Sequence, residues 1–303
     1  MRARILSHHG RQAWAIDESG RKYQCVFKGR DLLPVANDDV QLDASEDPPV
    51  ITQILPRRNQ LIRSEAHRSK GLAANLDQAM VVISGAPVFS DEILARMICA
   101  CAAEAIPGLV VLNKIDLEDA TAEAQVQLKT FHSALTLLDW KVITVCTLPG
   151  KARGMEELRH ALEGKTTVVM GQSGMGKSSL MNALIPGINL QTREISEALQ
   201  TGKHTTTAGL MVRMDVDLDG PQASQTPETW LIDTPGFQLY GLNHLSESQL
   251  ALGFPEWRAA QEQHGRCRYF NCRHLQEPGC TIRAMVERKE IPERRLILWK
   301  ALL

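Results

Sequence analysis

The sequence predicts an α/β core with a mostly parallel sheet, preceded by a small β-barrel and followed by a helical segment. Three observations predict it. Short apolar runs with turn residues between them fill roughly the first 65 positions. From about residue 75, buried-strand candidates alternate with helix-like segments. Past residue 240 no strand pattern remains, and three cysteines crowd together with a histidine.

In the first part the runs are 13–16, the hairpin-like DESGRKYQCVF around Gly20, and 50–55. Asn37, Asp38 and Asp39, and then Asp47, Pro48 and Pro49, punctuate them. Several short strands at this spacing suggest a small barrel, of which an OB-type barrel is one candidate among small β-folds. Arg57, Arg58, Arg63, Arg68 and Lys70 then read as a basic linker. The core offers strands at 80–84, 109–114, 142–146, 167–171, 210–216 and 230–233. Helices are expected at 91–104, 120–138 and 155–162, which argues for a parallel sheet covered on both faces. Beyond it, 246–263 reads as one helix, then come the Cys/His cluster and a basic helix at 293–303. The division expected is 1–66 for a β-barrel, 67–240 for the central domain and 241–303 for a metal-stapled helical domain.

Composition limits the function classes. A 303-residue chain with 44% hydrophobic and 23% charged residues is long enough for two or three packed cores. No uninterrupted apolar run reaches membrane-spanning length, and the start has no apolar signal region, so neither a span nor a signal peptide is expected. Seven cysteines, an odd count, favour a reducing compartment and a metal site over disulfides, hence a cytoplasmic protein. The net charge of −1 conceals an asymmetry. Residues 1–70 carry 12 Lys and Arg against 9 Asp and Glu, and residues 257–303 carry 10 against 5. Basic ends on an acidic centre fit a nucleic-acid binder, or simply scattered charge on helical surfaces.

The stretch TVVMGQSGMGKSSLMNAL is a strand, a glycine-rich turn and a helix start. GQSGMGKS satisfies G-x-x-x-x-G-K-[ST], the phosphate-cradling loop of P-loop nucleotidases. Candidate nucleotide contacts are Gly171, Gln172, Ser173, Gly174, Met175, Gly176, Lys177, Ser178 and Ser179. The glycines let backbone N–H groups curl around phosphates at a helix N-terminus. Lys177 would reach the β and γ phosphates, and Ser178 would coordinate Mg²⁺. A second phosphate-side element is WLIDTPG, where Asp233 would hold Mg²⁺ and the Gly236 N–H would sense the γ-phosphate. Between the two, GKHTTT offers Thr206 as a second Mg²⁺ ligand, or else forms a solvated threonine-rich loop. Phe237 stands where many GTPases carry a water-orienting glutamine, so slow intrinsic hydrolysis is expected. His204 is the candidate for orienting water, its alternative being an exposed loop histidine.

A base reader precedes the loop. LVVLNKIDL ends a strand with Asn113, Lys114, Ile115 and Asp116. Asp116 can accept both N1–H and the 2-amino protons of guanine; adenine would leave the carboxylate unpaired. In an ordinary GTPase this motif follows the phosphate loop. Here it comes first, so the strands are circularly permuted, which a parallel sheet with surface termini tolerates. The DTPG element then runs directly into the C-terminal segment.

CRYFNCRHLQEPGC supplies Cys267, Cys272, His274 and Cys280. Three thiolates and an imidazole make a closed tetrahedral Zn²⁺ site with a structural role, and nearby arginines suit phosphate contact.

These motifs together resemble the ribosome small subunit-dependent GTPase A family (RsgA, also called YjeQ). The resemblance runs nearly end to end through ILPRRNQLIR, AANLD, NKID, GQSGMGKSSLMN, GKHTTT, DTPGF and the CRYFNCRH…EPGC cluster. It implies an N-terminal OB-fold, a permuted GTPase domain and a C-terminal zinc domain. It further implies GTP hydrolysis to GDP, stimulated by the small ribosomal subunit and its rRNA late in that subunit's maturation, by a monomer without a membrane partner. It also implies that His204 is catalytic. The chain departs from the family at 145–154, where VCTLPGKARG replaces the usual Ser-Ala base-contacting loop. The competing readings are a P-loop ATPase or small-molecule kinase, and a non-catalytic RNA-binding adaptor that senses GTP.

Overall fold

A computed structural model describes the chain except residues 29–31, 66–67, 186, 189–208 and 215–227. Strands β1 (Arg2–His9), β2 (Gln12–Asp17), β3 (Lys22–Phe27), β4 (Asp39–Asp43) and β5 (Val50–Ile54) close into a barrel in the order β1-β2-β3-β5-β4. Pairing is antiparallel except between β3 and β5, the OB-type topology. Alternation in the sequence turns Ala13, Ala15, Val40 and Leu42 inward, while Trp14 and Gln41 face solvent. Ile5, Cys25, Phe27 and Ile51 complete a separate small core.

The stretch expected as a basic linker is instead paired structure. β6 (Gln60–Glu65) and β7 (Arg68–Ala74) pair antiparallel. Three arginines of the stretch are engaged by the fold. Arg57 makes a two-pronged pair with fully buried Asp38, at 2.7 Å through each nitrogen. Arg58 pairs with Asp77, and Arg63 lies over the Phe237 ring. A buried carboxylate needs such a partner, so local charge density was a poor guide to solvent exposure here.

The central sheet runs β10-β9-β8-β11-β13-β12. Its strands are β8 (Gln78–Ser84), β9 (Gly108–Asn113), β10 (Lys141–Thr144), β11 (Thr166–Met170), β12 (Leu210–Arg213) and β13 (Trp230–Asp233). All neighbours are parallel except β12 against β13. β8 is buried along its whole length, as expected of an inner parallel strand. Helix α1 (Asp91–Ala103) begins at an N-cap serine, Ser90, whose hydroxyl accepts the Ile93 N–H. The helix expected at 120–138 is divided into α2 (Glu118–Leu128), a 3₁₀ turn at Lys129–Phe131 and α3 (His132–Leu137). The tighter turn lets both Phe131 and Leu135 reach the core. Helices α4 (Met155–Leu162) and α5 (Lys177–Leu184) follow.

The single helix expected at 246–263 is also broken, into α6 (Glu247–Leu250), a 3₁₀ turn at Ala251–Gly253 and α7 (Pro255–His264). Pro255 has no N–H to continue a helix but suits a first helical position. Helices α8 (Thr281–Glu287) and α9 (Glu293–Leu302) end the chain. These helices share one continuous apolar core with the sheet, through Phe254, Trp257, Ile282 and Trp299.

Candidate functional site

Parallel strands deliver their carboxyl ends to one edge of the sheet, where open α/β folds bind ligands. β9 and β11 flank the fully buried β8, so Asn113 and Gly171 emerge at the same edge. Gly171 has φ +149°, and a Cβ there would lie 2.3 Å from the Val82 carbonyl oxygen, so no other residue fits the turn.

The two motifs that lie far apart in the chain touch. Asn113 Nδ2 donates to the Met175 carbonyl at 3.0 Å, and Lys114 Nζ donates to the carbonyls of Gly174 and Ala86, each at 2.7 Å. A Cβ on Gly176 would come within 2.4 Å of Asn113 Nδ2, so this approach requires glycine. Asn113 is 2% exposed and its Oδ1 has no hydrogen-bond partner, an acceptor left at the rim of the loop. Ile115 N–H donates to the Val145 carbonyl at 3.3 Å, which fixes Asp116 beside the strand that follows.

No residue of the divergent 146–154 loop was expected at the site, and the structure supplies one. The Cys146 thiol donates to Asp116 Oδ1 at 3.4 Å. Cys146 is buried and directly follows Val145, so a thiol orients the Asp116 carboxylate. The available signal was its position two residues past β10.

Gly171 to Ser179 form the turn and first residues of α5, with the helix N-terminus aimed at the loop. Lys177 is mostly buried, and its ammonium donates to the carbonyls of Gly171 and Gln172 at 2.9 and 3.0 Å. Gln172 turns outward: its Oε1 accepts the Ser90 N–H at 2.6 Å. Asp233 ends β13, level with Val169 on β11, so the DTPG element borders the loop. A Cβ on Gly236 would meet the Ser173 N at 3.0 Å and Lys177 Nζ at 3.1 Å. Phe237 N–H donates to the Gly171 carbonyl at 3.2 Å, and its ring is buried edge-on against Tyr240 at 5.0 Å. The candidates His204 and Thr206 lie outside the described residues.

At the other end, Cys267, Cys272, His274 and Cys280 converge. His274 Nδ1 lies 3.6, 3.5 and 3.3 Å from the sulfurs of Cys267, Cys272 and Cys280. Sγ of Cys267 and Cys280 are 4.0 Å apart, and all four ligand atoms fall within 4.8 Å of one another. Bond lengths of roughly 2.0–2.3 Å around a tetrahedral Zn²⁺ give edges of about 3.5–3.8 Å. The donor set therefore fits a metal ion, and the cluster could hold zinc. Burial lowers the pKa of His274, favouring the neutral imidazole that ligates. Cys280 caps α8, its sulfur accepting the Arg283 N–H at 3.5 Å, and burial raises its thiol pKa against that hydrogen bond. Trp257 and Trp299 flank the His274 ring at 6.1 and 6.4 Å.

Comparison with known proteins agrees with this geometry. The profile of the RsgA GTPase family matches residues 54–243. The chain is 40% identical to the small ribosomal subunit biogenesis GTPase RsgA of Ralstonia pickettii, covering 99% of this chain and 91% of that one. It is 39% identical to the protein of that name in Paraburkholderia phytofirmans, over 98% and 91% of the two chains. Among solved structures, YjeQ from Thermotoga maritima superposes with a TM-score of 0.72 at 25% identity, over 99% and 96% of the chains. The circularly permuted GTPase YloQ shares the fold, with a TM-score of 0.65 at 22% identity over 99% and 92%. With its guanine-type motif bonded to a phosphate loop that follows it in the chain, this protein belongs to the RsgA GTPase family and is a GTPase.

Proposed function

We propose that the chain docks on the small ribosomal subunit through its rRNA, late in the maturation of that subunit. There it hydrolyses GTP to GDP and phosphate with stimulation by the subunit. The observation that carries the nucleotide half of this reading is the bond from Asn113 to the Met175 carbonyl, with Lys114 on Gly174 beside it. The ribosomal half is supported by similarity to small ribosomal subunit biogenesis GTPases over 98–99% of this chain.

In this reading Asp116, oriented by Cys146, accepts the two guanine donors. The free Oδ1 of Asn113 and the Lys114 stem complete the base side. Backbone N–H groups from Ser173 to Ser179 hold the phosphates, and the Lys177 ammonium exchanges its two loop carbonyls for β- and γ-phosphate oxygens. Gly236 N–H meets the γ-phosphate. Mg²⁺ would be held by Ser178 and Thr206, with Asp233 through water, and supplies charge neutralisation on the phosphates. Phe237 is locked in an apolar contact and cannot orient water, which leaves that task to His204 and keeps intrinsic turnover slow. Zn²⁺ on Cys267, Cys272, His274 and Cys280 has no open position, so its role is structural.

Residues 1–66 act as the RNA-binding barrel, 67–240 as the GTPase and 241–303 as the zinc domain of a cytoplasmic monomer. The competing kinase or adaptor readings predict no response to ribosomal particles. GTP turnover measured with and without purified small subunits tests the proposal. Stimulation on the order of ten-fold or more, lost in Lys177→Ala, is expected. Equal turnover with and without subunits contradicts it.

A further inference from the structure

The loop between the first two cysteines of the metal cluster carries a surface that the GTPase chemistry does not use. Phe270 is 102% exposed, as open as a side chain can be, and it sits between Cys267 and Cys272. Tyr269 beside it is 43% exposed. Single exposed apolar side chains are ordinary on protein surfaces, so it is the setting of this ring that marks it out.

The loop is held rather than loose. Cys272 N–H donates to the Tyr269 carbonyl at 3.2 Å, Arg268 N–H donates to the Gly279 carbonyl at 3.0 Å, and the flanking cysteines converge on His274. An aromatic ring presented on a fixed tip loses little freedom on binding.

Charge identifies the partner. From Gly265 to Gln276 the chain has Arg266, Arg268 and Arg273 and no carboxylate. Arg273 is engaged by Glu247 at 2.6 Å, whereas among the described residues Arg266 and Arg268 have no acidic partner. The Arg268 guanidinium lies 5.7 Å from the Tyr269 ring centre, and its stem packs where a Gly279 Cβ would be, at 3.0 Å. Exposed aromatic rings beside unpaired arginines are how proteins stack on splayed-out bases while holding the adjoining phosphates. A lipid surface would require a larger apolar area than one ring.

We infer that the 268–271 tip is a base-stacking finger. Phe270 stacks on an unpaired nucleobase of the small-subunit RNA, Tyr269 supports it, and Arg266 and Arg268 contact the flanking phosphates. The inference rests on the ribosomal docking proposed above and adds the residue and the contact chemistry.

The test uses the full-length, zinc-loaded chain with a non-hydrolysable GTP analogue and purified small subunits. Phe270→Ala should weaken subunit binding by roughly 5- to 100-fold, the range expected for one lost base stack. Phe270→Trp should retain binding, and both variants should keep full zinc content and intrinsic GTP turnover. A photo-crosslinking phenylalanine analogue at 270 should join to a single RNA nucleotide. Equal binding by Phe270→Ala, or a crosslink to a ribosomal protein or to lipid, overturns the finger while leaving the docking proposal standing. Failure of the unmodified chain to bind subunits overturns both.

Discussion

The N-terminal barrel has a core of its own, built on Ile5, Cys25, Phe27 and Ile51, and reaches the main core through Leu6 and Ala36, whereas the C-terminal helices bury Phe254, Trp257 and Trp299 in the same core as the sheet. The polar contacts differ in the same sense. The barrel meets the centre through backbone-directed bonds such as Asn37 Nδ2 to the Ala74 carbonyl at 2.9 Å. The C-terminal segment is keyed in by Arg295, which is 1% exposed, pairs with Glu256 and lies over the rings of Phe254 and Phe131. A short physical route also joins it to the phosphate loop. Gln172 holds the Ser90 N–H, and the next residue, Asp91, takes a two-pronged pair from Arg294 at 2.6 and 2.8 Å. The flank that follows the DTPG element is thus built into the nucleotide domain, while the flank that precedes it is attached to that domain.

Metal removal is the largest perturbation of that contrast. A structural zinc contributes on the order of 10 kcal/mol, so chelation should expose 255–302 to hydrogen exchange, and the sheet with it, while the barrel strands stay protected. Barrel strands that exchange in step with the helices would erase the distinction. Without a cation, burial holds the Cys272 thiol up at about 12. Ligation must therefore displace protons, and zinc affinity should fall steadily as pH drops below neutral, measured by release to a chromogenic chelator. Next in size is Arg295→Ala, which strands buried Glu256 and should cost about 3–5 kcal/mol. Calorimetry should show that loss in the transition shared by the sheet and helices. Ile5→Ala, at about 2–5 kcal/mol, should lower the barrel transition alone. Smallest is Arg294→Gln, whose partly exposed pair is worth up to about 1 kcal/mol. That variant should nonetheless blunt any difference in α9 exchange between GDP and GTP-analogue complexes. An undiminished difference would show that the Asp91 contact is not a route.

Much of this was readable from short segments. The loop 171–178, the NKID run and the four metal ligands each carry their chemistry within a few residues, and parallel strands announce themselves as unbroken apolar runs. What escaped depended on distant partners. Arg294 and Arg295 read as a basic helix surface, yet one is paired with Asp91 and the other is buried on Glu256. Arg57 read as linker charge and proved to neutralise Asp38. Cys146 could not be placed because its meaning lies in Asp116, which arrives from a neighbouring strand. The break at Pro255 was, by contrast, written in the sequence and outweighed by the apolar pattern around it.

Replacing Asp116 by Asn probes most directly whether the base reader and the phosphate loop serve one nucleotide. Turnover of GTP and of xanthosine triphosphate should be compared in wild type and Asp116→Asn. The variant should lose on the order of 100-fold or more in kcat/KM for GTP and gain activity on the xanthine nucleotide. Unchanged preference would mean that Asn113 to Asp116 and Gly171 to Ser178 do not share a ligand, despite the bond between them.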